Sequence, residues 1–256
     1  MAALLSFVVG VSFFCPRYVL WRGLEIPQAQ IHPEVNRATF RLQQIERPFA
    51  PSENLTHWPL RWRILLPLLA YYLHLPPKVF FALPFAGCFL VLGLIAHIVL
   101  RETESALLAL LSSMLAATTS WFFVSTGWLG YFDAWYVLGL LCVAGIRCRM
   151  VLVGSCLLLP WVDERFIVAF PLAFAMRAAV FNWMKNAEFT RLFKEGALAG
   201  CLIAPYVLFR LGLLVAGQDA SSTSHLEYHF SMFAGHHREY IIGILHGLRA
   251  GWVLVL

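Results

Sequence analysis

Long apolar segments alternate with short polar turns along most of the chain. Three of them, Trp128 to Ile146, Met150 to Trp161 and Phe166 to Trp183, are separated only by Arg147-Cys148-Arg149 and by Asp163-Glu164-Arg165. None of the three carries enough polar residues to present a face to water, as an amphipathic surface helix would. The pattern therefore predicts helices embedded in lipid.

Further apolar segments lie on both sides of this central region. They are Ala2 to Phe14, Val79 to Leu100, Ala106 to Phe123, Ala197 to Gly217 and Tyr240 to Leu256. A membrane-spanning helix needs about 20 residues, and we expect Ala2 to Phe14 to be an uncleaved first span. Ile64 to Leu73 is too short to cross and is stopped by Pro76 and Pro77, so we predict an interfacial or re-entrant segment.

These elements together predict an all-α fold, a polytopic integral membrane helix bundle. We expect about seven spans plus the one interfacial or re-entrant segment, within a single transmembrane domain over residues 1–256. The one long polar loop covers residues 22–63. Within it, Ile31 to Phe49 is rich in Arg, Glu and Gln, and we predict a short surface helix around Glu34 to Glu46.

Composition points to the same class of protein. Hydrophobic residues make up 60% and charged residues 13% of the chain, far from the roughly 25% charged residues of a soluble domain. The mean hydropathy is +0.73. The six cysteines show no paired spacing and indicate reduced membrane cysteines, not a disulfide or zinc framework. No glycine-rich phosphate loop or nucleophile elbow is present.

The net charge of +5 bears on topology, because the arginines are spread among the loops and do not form a nucleic-acid-binding patch. Alternate turns after Val79 form a basic set, which the positive-inside rule assigns to the cytoplasm: Arg101, Arg147, Arg149, Lys185, Arg191 and Lys194. The other set, 127–133, 162–165 and 218–239, would face outward. If Ile64 to Leu73 does not cross, the loop 22–63 is also outside and the N-terminus is cytoplasmic; if it crosses, the loop is cytoplasmic. We expect the plasma (inner) membrane.

The turn Asp163-Glu164-Arg165 is one candidate site. Two carboxylates near a cation can have separated pKa values, which suits one as a base and the other as a partner for substrate or a metal ion. A plain hairpin turn kept in water by its charges would have the same sequence. The cofactor therefore stays open, with a divalent cation as one candidate.

Asp133 is a second candidate, as the one charged residue of its loop. It stands at a predicted helix start, where a carboxylate can serve as an N-cap. Aromatic residues surround it in sequence: Trp128, Tyr131, Phe132, Trp135 and Tyr136. Such a ring resembles a sugar-binding rim, and the aromatic belt of any membrane protein produces the same pattern.

Arginines suggest where a phosphate would bind. Arg61 and Arg63 stand just before Ile64, and Glu25 and Glu34 lie among the arginines of the long loop. Arginine holds phosphate through bidentate, charge-assisted hydrogen bonds, while a glutamate could act as a base. Attraction to anionic lipid headgroups needs no such site.

Ionisable residues also occur inside apolar segments. We expect Arg210 and Arg177 to extend toward the membrane surface, and Arg249, one turn from His246, to face a buried partner or a polar cavity. The histidines of His225-Leu226-Glu227-Tyr228-His229 do not match the zinc-protease pattern, because the glutamate is one position too far on. We therefore assign no metal ligands.

The layout resembles the multi-spanning glycosyltransferases of the GT-C class. The resemblance covers residues 1–216 and consists of a first span, a long acid-containing loop with an amphipathic helix, the segment Leu60-Arg61-Trp62-Arg63-Ile64-Leu65-Leu66-Pro67, and later acidic turns. It implies transfer of a sugar from a polyprenyl-phosphate donor at the extracytoplasmic face. It also implies a catalytic acid soon after the first span, for which Glu25 or Glu34 is the nearest equivalent.

Two hypotheses follow. In the first, the protein is such a glycosyltransferase, with membrane lipid and a polyprenyl-phosphate-linked sugar as partners. An outer-loop glutamate or Asp133 is the base, loop arginines and Arg210 hold the donor phosphate, and Asp163 and Glu164 position substrate or a cation. In the second, it is a non-enzymatic transporter or assembly subunit with a polar path at His246 and Arg249.

Overall fold

The computed structural model describes residues 1–14, 33–49, 58–181 and 189–215 of the chain, and the described residues form helices and turns without a strand. The helices are α1 (Ala2–Phe14), α2 (Pro33–Glu46), α3 (Trp58–Arg61), α4 (Leu65–Tyr72), α5 (Pro77–Thr103), α6 (Ala106–Ala117), α7 (Ser120–Gly127), α8 (Asp133–Gly145), α9 (Arg149–Leu158), α10 (Arg165–Val180) and α11 (Phe189–Val215). A 3₁₀ turn, Leu159–Trp161, extends α9. The predicted all-α class is confirmed for these residues.

Two of the described helices, α5 and α11, are long and apolar enough to cross a membrane, and the pair α6 and α7 would make a third if it forms one span. The length and composition of these helices are consistent with a location in a membrane. The predicted apolar segment Ala106 to Phe123 corresponds to this pair, in which α6 and α7 meet at a bend of 62°. At that bend the Thr118 and Thr119 hydroxyls donate to the carbonyls of Leu115 and Ala116, which ends α6.

Large apolar side chains on the outside of the bundle fit a lipid environment. On α10, Val168, Leu172, Met176 and Val180 recur at four-residue intervals and are all exposed. Residues four apart share one face of a helix, so this stripe would be unfavourable in water. The helix surface is instead suited to contact with acyl chains.

Helix α8 lies at the centre of the bundle and packs against α10, α5, α9 and α7. Two glycines allow close approach to neighbouring helices. A Cβ atom at Gly87 of α5 would lie 3.0 Å from Ala134 Cβ, and one at Gly139 of α8 would lie 2.6 Å from Leu159 Cγ. Helix α11 packs on α9, so α8 to α11 share one apolar core around Val143, Leu152 and Phe166.

The N-terminal helices cover one end of this bundle. Helix α2 confirms the predicted helix over Glu34 to Glu46, but it is not a surface helix on all sides, because Ala38, Phe40 and Arg41 are buried. It packs against α4, an eight-residue helix that confirms the expected short segment before Pro76. Eight residues are about 12 Å of helix, well short of a bilayer core.

Candidate functional site: a buried charge cluster

Six charged side chains meet at the end of the bundle where α8 and α10 begin. We call them the charge cluster: Arg41, Arg63, Asp133, Asp163, Glu164 and Arg165. They come from α2, from the turn before α4, from the start of α8 and from the turn into α10. Residues up to 124 positions apart in sequence are thereby joined in one network: five side chains form ion pairs, and Arg41 is linked to them by a hydrogen bond to the main-chain carbonyl of Arg63.

Arg63 binds both carboxylates of the acidic turn. Its Nη1 lies 2.8 Å from Asp163 Oδ2, and its Nη2 and Nε donate to the two oxygens of Glu164 at 2.7 and 3.2 Å. Burial alone would lower the pKa of Arg63, but Asp163 and Glu164 together raise it. Every nitrogen of this guanidinium is used, so Arg63 acts as the support of the acidic turn.

Arg165 links the acidic turn to Asp133. Its Nε and Nη2 donate to Asp163 at 2.9 and 2.6 Å, and the same Nη2 donates to Asp133 Oδ1 at 2.6 Å. The side chain is 43% exposed, whereas that of Asp163 is 1% exposed. No hydrogen bond among the described residues uses Nη1, so Arg165 reaches from the buried acids to the surface with part of its guanidinium still able to donate.

Asp133 is the first residue of α8 and is 3% exposed. One interpretation of the sequence made Asp133 the N-cap of this helix, and the structure shows that it is not. Phe132 occupies the N-cap position, and the Ala134 N–H is satisfied by Ser125 Oγ of α7 at 2.8 Å. Asp133 lies at the helix end, outside the long apolar helices, and burial raises the pKa of its carboxyl despite the adjacent Arg165.

Arg41 ties α2 to this end of the bundle. Its Nε donates to Gly130 O at 3.1 Å, and its Nη1 donates to Gln44 Oε1 at 2.7 Å. It also donates to the carbonyls of Leu60 and Arg63 at 3.2 and 3.1 Å. Gly130 has φ +83°, a conformation that favours glycine and turns its carbonyl toward Arg41. Burial and the positive charge of Arg63 lower the pKa of Arg41 to about 9, so it stays charged at neutral pH.

Arg41 was not among the predicted site residues, because it is one of several arginines in a polar loop. A signal was nevertheless present in the helix pattern. Ala38 and Arg41 lie three positions apart, and Arg41, Gln44 and Ile45 follow at helical spacing on the side of α2 that packs against the core. An arginine on the apolar face of an amphipathic helix indicates a buried partner, here a set of carbonyls.

Aromatic rings cover the side of the charge cluster that faces α11. Trp161 packs edge-on against Tyr206 with ring centroids 4.9 Å apart, and Phe209 lies between Trp161 and Trp62 at 5.2 and 5.4 Å. Tyr206 is buried and lies within electrostatic range of Glu164 and Arg210. Arg210 is therefore close to this end of the bundle, and its Nη1 atom is buried there.

The structure brings some of the predicted site residues together and not others. Asp133, Asp163, Glu164, Arg165 and Arg63 come together, whereas the guanidinium of Arg61 lies over the Trp62 ring at 4.7 Å from its centroid. Glu34 lies in the first turn of α2, and only its main chain is described. Glu25, Arg249, His246 and the histidine-rich segment 225–237 lie outside the described residues.

The burial of the acidic turn separates the two interpretations of its sequence, a solvated hairpin turn and a binding site. A hairpin turn kept in water by its charges is wrong for Asp163, which is buried beneath Arg63 and Arg165. Within the described ranges, no three His, Cys, Asp or Glu side chains come together as ligands for a metal ion. The cluster is a network of carboxylates balanced by arginines, with Arg165 and Glu164 nearest to solvent.

A second buried ion pair lies at the opposite end of the bundle. Arg177 does not extend to the surface as expected, because its side chain is 0% exposed and its Nε donates to Glu195 of α11 at 3.0 Å. Its other nitrogens donate to the carbonyls of Val143, Ile146 and Arg147, at the end of α8. These carbonyls have no partner within α8, so a cation is favourable there.

Searches of protein-family models, of curated proteins and of solved structures find no match to the chain. Function therefore has to be inferred from the residues of the site and their geometry.

Proposed function

We propose that the protein is a membrane-embedded glycosyltransferase that moves a sugar from a polyprenyl-phosphate donor to an acceptor at the extracytoplasmic face. Asp133 is the base that takes the proton of the acceptor hydroxyl. The acceptor oxygen then forms a bond to the anomeric carbon as the bond between that carbon and the donor phosphate oxygen breaks. Arg165 stabilises the departing polyprenyl phosphate.

The observation that carries the proposal is the connection between Asp133 and Arg165. A buried carboxylate is held through one oxygen, Oδ1, by a guanidinium whose side chain reaches the surface. No described residue donates to Oδ2 of Asp133, so this oxygen suits a hydroxyl proton. A raised pKa makes a carboxylate a better base, and an arginine beside it is suited to a phosphate.

The neighbouring residues fit these roles. Tyr136 lies under Arg165, with the guanidinium carbon 4.9 Å from the ring centroid, and offers an aromatic surface at the mouth of the site. Each nitrogen of Arg63 already contacts Asp163 or Glu164, so its role in the proposal is to position these two carboxylates. Asp163 in turn holds Arg165 through both of its oxygens.

Topology supports the same function. The long loop was expected to share one face with Asp133 and Asp163 if the protein is a glycosyltransferase, and the bonds of Arg41 to Gly130 O and Arg63 O bring α2 to that end. The basic turns with Arg101, Arg147 and Arg149 lie at the other ends of α5, α8 and α9. For the expected seven or so spans, the positive-inside rule predicts that the charge cluster faces outward and that the N-terminus is in the cytoplasm, and the proposal adopts this orientation in the plasma membrane.

The test is a transfer assay in membrane vesicles, using polyprenyl-phosphate donors that carry one radiolabelled sugar each. Wild-type vesicles should release the label from at least one donor. Asp133→Asn should slow release by about 10²-fold or more, since it removes a general base. Because Asp133 works as the ionised form, wild-type activity should be lost as the pH falls through its raised pKa.

Glu102→Gln serves as the matched control. It also neutralises one carboxylate, but Glu102 pairs with Arg101 on the exposed surface at the opposite end. Its activity should equal that of the wild type. An Asp133→Asn protein that is folded and fully active, or wild-type vesicles that leave every donor intact, would contradict the proposed function.

A further inference from the structure

A cavity of about 530 Å³ opens at the end of the bundle opposite the charge cluster. We call it the basic pocket; its lining consists of Arg147, Arg149, Thr190, Arg191, Lys194 and Glu195. Four cationic side chains thus face one carboxylate. They come from two places in the chain, the turn between α8 and α9 and the first two turns of α11.

The one carboxylate of the basic pocket is already neutralised. Glu195 Oε2 accepts from the buried Arg177, and Glu195 Oε1 lies 3.5 Å from Arg191 Nε. Arg147, Arg149 and Lys194 are exposed, and Arg147 also lies over the Phe181 ring with its guanidinium carbon 5.6 Å from the centroid. The field inside the cavity is therefore positive and favours an anion.

The walls of the basic pocket are held in place by one buried residue. Arg177 donates to the main-chain carbonyls of Ile146 and Arg147 on one wall and to Glu195 on the other. Helices α9 and α11 also begin at this cavity, so the partial positive charge of two helix N-termini adds to that of the side chains. A fixed positive cavity binds an anion with little cost of rearrangement.

The surroundings of the basic pocket indicate a lipid. Met150 follows Arg149 directly and Phe193 precedes Lys194, and these two side chains are 74% and 77% exposed. Large apolar side chains exposed beside cations are suited to the boundary between headgroups and acyl chains. A soluble phosphate compound would gain nothing from Met150 and Phe193, whereas a phospholipid would cover both.

We propose that the basic pocket binds the phosphate of an anionic phospholipid headgroup, with the acyl chains against Met150 and Phe193. This site lies away from the charge cluster and does not depend on the proposed glycosyltransferase activity. A bound lipid would tie α9 to α11 at the basic end. Each of the cations contributes to affinity, while Arg177 keeps the two walls together.

The experiment is native mass spectrometry of the purified protein in detergent, titrated with phosphatidylglycerol or with phosphatidylcholine of the same acyl chains. Wild-type protein should bind phosphatidylglycerol more tightly. Arg149→Gln should weaken that binding about fivefold and Arg149→Gln with Lys194→Gln about 25-fold, since each cation near a headgroup contributes about 1 kcal/mol. Binding of phosphatidylcholine should not change.

Arg101→Gln is the matched control, because Arg101 is an exposed arginine at the same end that pairs with Glu102 and does not line the basic pocket. It should leave the affinity for phosphatidylglycerol unchanged. Equal losses for the Arg101 and Arg149 variants would overturn the proposal in favour of general surface charge. It would also be overturned by equal wild-type affinity for the two lipids, or by inorganic phosphate binding as tightly as phosphatidylglycerol.

Discussion

At the scale of single residues, Arg63 and Arg61 have different roles although they are two positions apart. Arg63 is buried and binds Asp163 and Glu164, whereas Arg61 is partly exposed and lies over the Trp62 ring. The sequence predicted both as phosphate ligands, since their chemistry is the same. The two arginines differ in burial, which depends on how α2 and α10 pack around this turn. A local sequence pattern does not reveal that packing.

Arg63→Gln should therefore lower the free energy of unfolding by about 3 kcal/mol, because Glu164 loses its arginine partner and the buried Asp163 keeps only Arg165. Arg61→Gln should lower it by about 1 kcal/mol or less, the usual contribution of a cation over an aromatic ring at a partly exposed position. Denaturant unfolding of the purified protein in detergent measures both. Equal values for the two variants would show that the ion pairs of Arg63 do not stabilise the fold.

For Asp133, the sequence predicted the position of the residue but not its ion-pair partner. Its isolation as the one charge in an aromatic loop singled it out, and its place at the start of a helix is confirmed. Its partner was not predictable, because Arg165 lies 32 positions away and follows a separate helix. The acidic turn and Asp133 were two separate candidates in sequence and are one network in space.

At the scale of elements, hydrophobic segments predicted the helices well and their ends less well. Segment Trp128 to Ile146 becomes a helix only from Asp133, because the turn through Gly130, with φ +83°, comes first. Segment Ala106 to Phe123 looks continuous in hydropathy, but Thr118 and Thr119 bond back to the preceding turn and the chain bends. Polar side-chain bonds of this kind leave little trace in a hydropathy pattern.

Close packing of α8 against the 3₁₀ turn depends on Gly139. Gly139→Ala would place a Cβ atom 2.6 Å from Leu159 Cγ, whereas Gly154→Ala on α9 would meet nothing within 4 Å. We expect the first to destabilise the protein by about 1–3 kcal/mol through overpacking. The second should stabilise α9 by about 0.5–1 kcal/mol, since alanine is the better helix former. Thermal unfolding of the two variants side by side tests this contrast, and a stabilised Gly139→Ala protein would contradict the packing described.

Arg177 joins three helices, α8, α10 and α11, at the basic end. Arg177→Met should cost about 3–5 kcal/mol of unfolding free energy, because Glu195 and the last carbonyls of α8 lose their donor. Arg191→Gln, which removes the more exposed partner of Glu195, should cost less than about 1 kcal/mol. Adding Glu195→Gln to Arg177→Met should restore part of the loss. A double variant no more stable than the single one would show that the ion pair is not the source of the effect.

At the scale of the whole molecule, the two ends of the bundle differ in chemistry. One end holds the charge cluster, in which carboxylates and arginines balance, and the other holds the basic pocket with four cations around one carboxylate. Composition and the alternation of basic and acidic turns predicted this separation. The sequence left open which end the loop 22–63 joins, and the hydrogen bonds of Arg41 place α2 with the charge cluster.

The most direct test of a site at the extracytoplasmic face is the accessibility of single cysteines in intact cells. Gln43→Cys on α2 and Thr103→Cys at the end of α5 would be made in a background without the six native cysteines, since both positions are exposed. A membrane-impermeant thiol reagent should label Gln43→Cys in intact cells and Thr103→Cys only after the membrane is opened. Labelling of Thr103→Cys with protection of Gln43→Cys, or labelling of both in intact cells, would contradict an extracytoplasmic charge cluster and the glycosyltransferase that it supports.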